Sequence, residues 1–275
     1  MSLPVEQTID IDGMAIAWRE AGSGFPLVLV HGMGGGSAAW QAQYAGLSGR
    51  YRVIGWDGPG YGRSDEFADE RPLVADYARV LAGFLDGLGI ERAHLAGHSF
   101  GGILVCAHAR RHADRVASLA LLQAVVGYQA LDMTPERRTE LENKRHDDIA
   151  AVTREEFALI RARAAMADDA DEEMIERAAR VSYSTRPRGY LQQWAAMFQA
   201  DIFDELDGSV AAPSLFVSGG RDGTSTAEAR DRIAAAMPGI QTADVPRSGH
   251  VIYMEAADEL NHLLGEFLDA QGGPQ

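Results

Sequence analysis

Three side chains far apart in a chain of 275 residues, Ser99, Asp222 and His250, have the types needed to form an acyl bond and move a proton. Ser99 is the centre of Gly97-His98-Ser99-Phe100-Gly101, which lies between an apolar run at 93–96 and a helix-like run at 103–112. That order reads as strand, very tight turn and helix. A serine at the tip of such a turn is expected to adopt a positive φ, and Gly97 and Gly101 leave room for helix and strand to approach. The turn then pushes Oγ outward and aims the first free N–H groups of the helix at whatever Oγ attacks. A neutral hydroxyl is a poor nucleophile near pH 7. It needs an imidazole to take its proton, and the imidazole needs a carboxylate to fix its tautomer and stabilise its charged form. Asp222 stands in Gly219-Gly220-Arg221-Asp222-Gly223, after a strand-like run at 214–218; His250 stands in Ser248-Gly249-His250, beyond another at 241–245.

The other candidates are weaker. Of eight histidines, His94, His146 and His262 sit in strand or helix contexts, and His108 and His112 lie on the helix leading away from Ser99. His98 adjoins Ser99 and is expected to point to the opposite side of the turn. Among the acids, Asp204, Asp207 and Asp244 precede a strand or lie inside one, whereas Asp222 follows its strand and can turn inward. Cys106, the single cysteine, lies seven residues after Ser99 on a helix that should pack on the sheet, and reads as a buried core thiol. Lys144 is the only lysine, which leaves no Schiff-base candidate elsewhere.

The elbow around Ser99, with the chain order Ser, Asp, His, resembles the α/β-hydrolases. Two further segments carry the likeness: His31-Gly32-Met33-Gly34-Gly35-Gly36 after the apolar run 27–30, and Asp57-Gly58-Pro59-Gly60-Tyr61-Gly62-Arg63-Ser64 after the run 53–56. The resemblance covers nearly the whole chain. It implies an oxyanion hole made by the N–H groups of Met33 and Phe100, a structural role for His31, and a turn-stabilising role for Asp57. It also implies a metal-free and cofactor-free serine hydrolase acting on a small, mostly apolar ester or lactone. Among subgroups the chain is similar to small bacterial esterases, enol-lactonases and meta-cleavage-product hydrolases. Two departures weigh against the last: Val251 stands where that group usually has tryptophan, and His98 where it commonly has asparagine. C–C bond hydrolysis, hydroxynitrile lyase or perhydrolase chemistry, and a small-molecule receptor on the same fold stay open as alternatives. Epoxide hydrolases and haloalkane dehalogenases share the fold but use an aspartate where Ser99 stands.

The elements that must position these residues follow from the pattern. A hairpin turning at Asp12-Gly13 precedes alternating strands and helices, which predicts a mostly parallel twisted sheet with helices on both faces. From 127 to 185 there is no strand candidate, only charged helical segments at 135–152, 154–166 and 172–183. This stretch is expected to be a helical cap, inserted between core parts 1–126 and 186–275. Tyr190, Trp194, Met197 and Phe198 have helical spacing, and one or two of them should line the site. Substrate contacts are expected from Gly32, Gly34, Trp194, Phe198 and Val251, with Met133 and Phe157 weaker candidates. A net charge of −15 argues against nucleic acid or an anionic membrane as partner. No run of 18 apolar residues occurs, Met1-Ser2-Leu3-Pro4 opens no signal-like segment, and one cysteine forms no intrachain disulfide; a cytoplasmic monomer or homodimer is expected.

Overall fold

The computed structural model describes residues 2–206, 208 and 210–272. Met1, Asp207, Ser209 and residues 273–275 lie outside the described residues, and Asp207, one of the alternative acids, goes with them. Eight strands form one sheet: β1 (Gln7–Ile11), β2 (Met14–Ala21), β3 (Phe25–Val30), β4 (Tyr51–Trp56), β5 (Ala93–His98), β6 (Val116–Leu122), β7 (Ser214–Gly219) and β8 (Gln241–Val245). Their order is β1-β2-β4-β3-β5-β6-β7-β8. β1 and β2 form the antiparallel hairpin, turning at Asp12 and Gly13, both with positive φ. β2 pairs antiparallel with β4, and every pairing from β4 onward is parallel.

The unbroken apolar runs in the central strands follow from burial on both faces. Val28 and Val30 enter the core on one side of the sheet, Leu27 and Leu29 the core on the other; Leu119 and Leu121 alternate in the same way with Ala120 and Leu122. Helices α1 (Gln41–Leu47), α2 (Val74–Gly87) and α3 (Phe100–Arg111) follow strands in the first half of the chain. Between β6 and β7 the chain makes a helical insertion: α4 (Pro135–Ala150), α5 (Arg154–Ala165), α6 (Glu172–Tyr183) and α7 (Pro187–Phe198). The insertion thus runs past residue 186. Thr134, Thr153 and Asp171 cap α4, α5 and α6 through side-chain oxygens that accept N–H groups of the first turn. The short α8 (Ile202–Glu205) leads back to the sheet; α9 (Ala227–Ala236) joins β7 to β8, and α10 (Ile252–Glu255) and α11 (Ala257–Ala270) end the chain. Among the described residues no helix is long and apolar enough to cross a membrane.

β5 runs into α3 through Ser99 alone, whose φ of 54° and ψ of −120° lie in a region that L-residues rarely adopt. A Cβ on Gly97 would overlap the carbonyl of Gly101, and one on Gly101 would overlap the carbonyl of Val30. These glycines are required by contact rather than by their own φ. Replacing Gly97 by Ala should therefore cost about 3 kcal/mol or more, or prevent folding. Gly49→Ala, at a position where an added Cβ meets nothing, should change stability by less than about 0.5 kcal/mol. Urea denaturation of the two variants checks the contrast; equal stabilities would contradict it.

Candidate active site

Asp222, His250 and Ser99 all reach the C-terminal edge of the parallel sheet, after β7, β8 and β5 respectively. The Asp222 side chain is wholly buried. Its Oδ1 accepts the N–H groups of Thr224 at 2.7 Å and Ser225 at 3.0 Å, and its Oδ2 accepts Nδ1–H of His250 at 2.7 Å. A carboxylate satisfied in this way fixes the imidazole with its proton on Nδ1 and leaves Nε2 as the basic nitrogen. Ser99 and His250 line one cavity of about 520 Å³, within the usual size range for small-molecule sites. In such an arrangement an imidazole can accept a proton from a hydroxyl and return it to a leaving group.

The loop after β3 lies against the elbow: a Cβ on Gly32 would sit 2.7 Å from Cβ of Ser99. Met33 and Gly34 line the cavity. Phe100, first residue of α3, has no intrahelical acceptor for its N–H, and among the described residues neither its N–H nor that of Met33 donates to a backbone carbonyl. Two such donors beside a nucleophile can stabilise a developing alkoxide.

His31 and Asp57 brace this loop. Gly58 N–H donates to Nε2 of His31 at 2.9 Å, so the imidazole proton lies on Nδ1 and is donated to the carbonyl of Gly32 at 2.8 Å. Burial pushes His31 down to about 4. Asp57 accepts both the N–H and the hydroxyl of Ser37 at 2.7 Å, and burial raises its carboxyl to about 6.

His98 departs from the sequence expectation. Its ring does not point to the opposite side of the elbow; Nε2–H donates to the carbonyl of His250 at 2.6 Å, the two rings lie 4.8 Å apart, and His98 lines the cavity. The tight turn sends Ser99 outward, but the parallel strand brings residue 98 to the same edge, where β8's loop lies over it. Burial and the neighbouring His250 push the His98 imidazole well below the usual histidine range.

Trp194, Met197 and Val251 also line the cavity. Phe198 does not line it: it is buried behind the wall, stacked on Tyr128 with ring centroids 4.1 Å apart. Met133, Phe157 and Tyr190 are likewise absent from the lining. Cys106 is buried in the core, where burial pushes its thiol far up.

Two residues that hold the histidine loop carry no local motif. Glu255 accepts the N–H groups of Gly249 at 3.0 Å and Val251 at 2.9 Å, and also that of Ala167, just past α5, at 2.9 Å. Gln123, fully buried with a φ of 49° directly after β6, donates its amide to the carbonyl of Gly249 and accepts the N–H of Ile252. The backbone N–H of His250 itself donates to the carbonyl of Ala165 at 2.7 Å. A buried glutamine after an apolar strand is the only sequence signal that could have drawn attention to Gln123.

A model of the family described as alpha/beta hydrolase fold matches residues 26–257. The chain is 29% identical over 277 residues to a dihydrolipoyllysine-residue acetyltransferase component of an acetoin cleaving system from Pseudomonas putida, with 96% of this chain and 70% of that one covered. It is 28% identical over 267 residues to a 2-hydroxy-6-oxononadienedioate/2-hydroxy-6-oxononatrienedioate hydrolase from Paraburkholderia phymatum, covering 93% and 91% of the two chains. Among solved structures, the enol-lactonase from Burkholderia xenovorans LB400 superposes with a TM-score of 0.84 at 24% identity, covering 96% of this chain and 100% of that one.

Two outcomes follow from this geometry. Glu255→Ala leaves three backbone N–H groups without their acceptor, so stability should fall by about 2–4 kcal/mol; denaturant unfolding measures it, and a loss below about 0.5 kcal/mol would remove the bracing role. Burial also holds His31, His94 and His108 near 4 and pushes His98 well below the usual histidine range, while the unfolded chain takes up these protons below about pH 6.5. Stability should therefore be full above that pH and fall as pH drops toward 4. Asp57, raised to about 6, offsets one of the four protons by protonating in the folded state first. The net slope should reach roughly 4 kcal/mol per pH unit at its steepest. Melting temperatures at pH 7.5, 6.5, 5.5 and 5.0 test this, and a flat profile down to pH 5 would refute it.

Proposed function

The chain belongs to the alpha/beta hydrolase fold family, and from that premise we propose that it is a serine hydrolase cleaving a small carboxylic ester or lactone through an acyl-enzyme. The observation that carries this reading is the 2.7 Å bond between buried Asp222 and Nδ1 of His250, with Ser99 on the wall of the same cavity. In the proposed sequence of steps, Oγ of Ser99 attacks the carbonyl carbon as Nε2 of His250 takes the hydroxyl proton. Asp222 stabilises the imidazolium that forms. The N–H groups of Met33 and Phe100 receive the oxyanion, each contributing on the order of 10²–10³ in rate. Collapse of the tetrahedral intermediate expels the alkoxide, which takes the proton from His250. Water, deprotonated by the same imidazole, then attacks the acyl-enzyme, and Ser99 leaves with its proton restored.

The insertion α4–α7 acts in this reading as a cap that narrows the cavity and excludes water, with Trp194 and Val251 contacting substrate beside Gly34. Phe198 and Gly32 both lie outside the lining, Gly32 packed against Ser99 and His98, and make no substrate contact in this reading. The buried, single cysteine suits a cytoplasmic location. The relative from Paraburkholderia phymatum supports a second reading, in which the same three residues cleave a carbon–carbon bond next to a ketone.

Ser99→Ala should lower turnover of 4-nitrophenyl acetate by at least about 10³-fold and abolish labelling by a fluorophosphonate, with an unchanged melting temperature. Retained turnover or labelling would overturn the assignment of the nucleophile. A panel adding lactones and a vinylogous diketone substrate separates the two readings.

A further inference from the structure

Two arginines of the insertion, Arg145 on α4 and Arg161 on α5, line the same cavity as Ser99 and His250. Other cations of these helices are satisfied locally: Lys144 pairs with Asp148 at 2.6 Å, Arg137 with Glu140 at 2.7 Å and Arg163 with Glu172 at 2.7 Å, while Arg138 donates to the carbonyl of Tyr128 and Arg154 to those of Tyr183 and Thr185. Arg145 and Arg161 are not. Nε of each is buried without a hydrogen-bond partner, and among the described residues neither guanidinium forms an ion pair. In a chain with 40 acidic and 25 basic residues, two cations facing a cavity without a carboxylate are not explained by surface solubility.

Arg145 is held in place by an aromatic face instead: its guanidinium lies 4.5 Å from the ring centroid of Trp194, itself part of the lining. Tyr128, also on the wall, feels both cations, each of which opposes the upward push of burial on its phenol. Two guanidinium forks and a phenol thus line a space that also has apolar walls, among them Met33, Val126, Ala162 and Met197. Partly desolvated cations of this kind are costly to leave alone and bind strongly to a planar anion that accepts two parallel N–H bonds.

We infer that Arg145 and Arg161 form a carboxylate subsite, so that the substrate of this enzyme is an ester or lactone that also carries a carboxylate, joined to the reacting carbonyl by a short apolar segment. The inference rests on the proposed hydrolase reading for the position of that carbonyl at Ser99, but the subsite itself can be tested without turnover. Neither arginine touches the reacting atoms in this assignment; both set specificity.

The test compares matched esters with the carboxylate on the acyl side (mono-4-nitrophenyl glutarate against 4-nitrophenyl pentanoate) and on the alcohol side (4-acetoxybenzoate against its methyl ester). For at least one pair the protein should prefer the anion by about tenfold or more in kcat/KM, chiefly through KM, with the preference weakening as salt is raised. Arg145→Gln and Arg161→Gln should each reduce that ratio by about tenfold, and Arg→Lys at either position should restore part of it. A preference for the neutral partner in both pairs, or a ratio untouched by the substitutions, would overturn the subsite. If no ester is turned over, the hydrolase reading has failed, and calorimetry with heptanedioate decides the subsite alone. Binding to the parent chain that is lost in both Gln variants supports it; binding that is absent or equal in all three refutes it.

Discussion

Ser99 occupies a backbone conformation, φ 54° and ψ −120°, that costs an L-residue on the order of 1–3 kcal/mol and that only surrounding structure can hold. The hold comes from contact between backbones. Gly97 lies against the carbonyl of Gly101, Gly101 against that of Val30, and the loop after β3 touches Ser99 itself through Gly32. Strand, helix and loop are therefore registered to one another at a single point, with no side chain between them to flex. The Ser99 N–H, bonded to the carbonyl of Leu122 at 3.0 Å, extends that registration across to β6. Every other group of the site is placed relative to this rigid corner.

Around the corner the protein keeps its imidazoles uncharged. His31, His94, His98 and His108 are buried and held below the ordinary histidine range. His250 differs in having a buried carboxylate on Nδ1, so an imidazolium formed there has a counter-charge ready at 2.7 Å. The environment thereby separates the one histidine paired with a buried carboxylate from four that lack such a partner. The positive charge that does enter the cavity comes from Arg145 and Arg161.

What could be read from the residues alone was whatever is local. The elbow is encoded within five positions, and the buried strands within runs of four to seven, because steric contact and two-sided burial act on adjacent residues. The order of the loops bearing Asp222 and His250 followed from strand succession. Features fixed by distant packing stayed hidden. The orientation of His98 depends on a carbonyl 152 positions away, and Glu255 acts on the N–H of Ala167, 88 positions earlier. Phe198 and Trp194 share one helical stripe, yet only the latter turns to the cavity, since Tyr128 stacks on the former. Arg145 was the least legible: α4 has no buried residue and a charged sequence, so by composition each of its cations looks like a solvated one.

The bonds from Ala165 to His250 and from Ala167 to Glu255 fasten the end of α5 to the loop that carries the imidazole. A lid hinged there would unhook both bonds on swinging away, and the histidine would lose its register with the elbow. Admission of substrate and competence for proton transfer would then be mutually exclusive states. Any opening that leaves α5 docked would spare both bonds, so within the insertion it is the end of α5 that is tied to the imidazole's position.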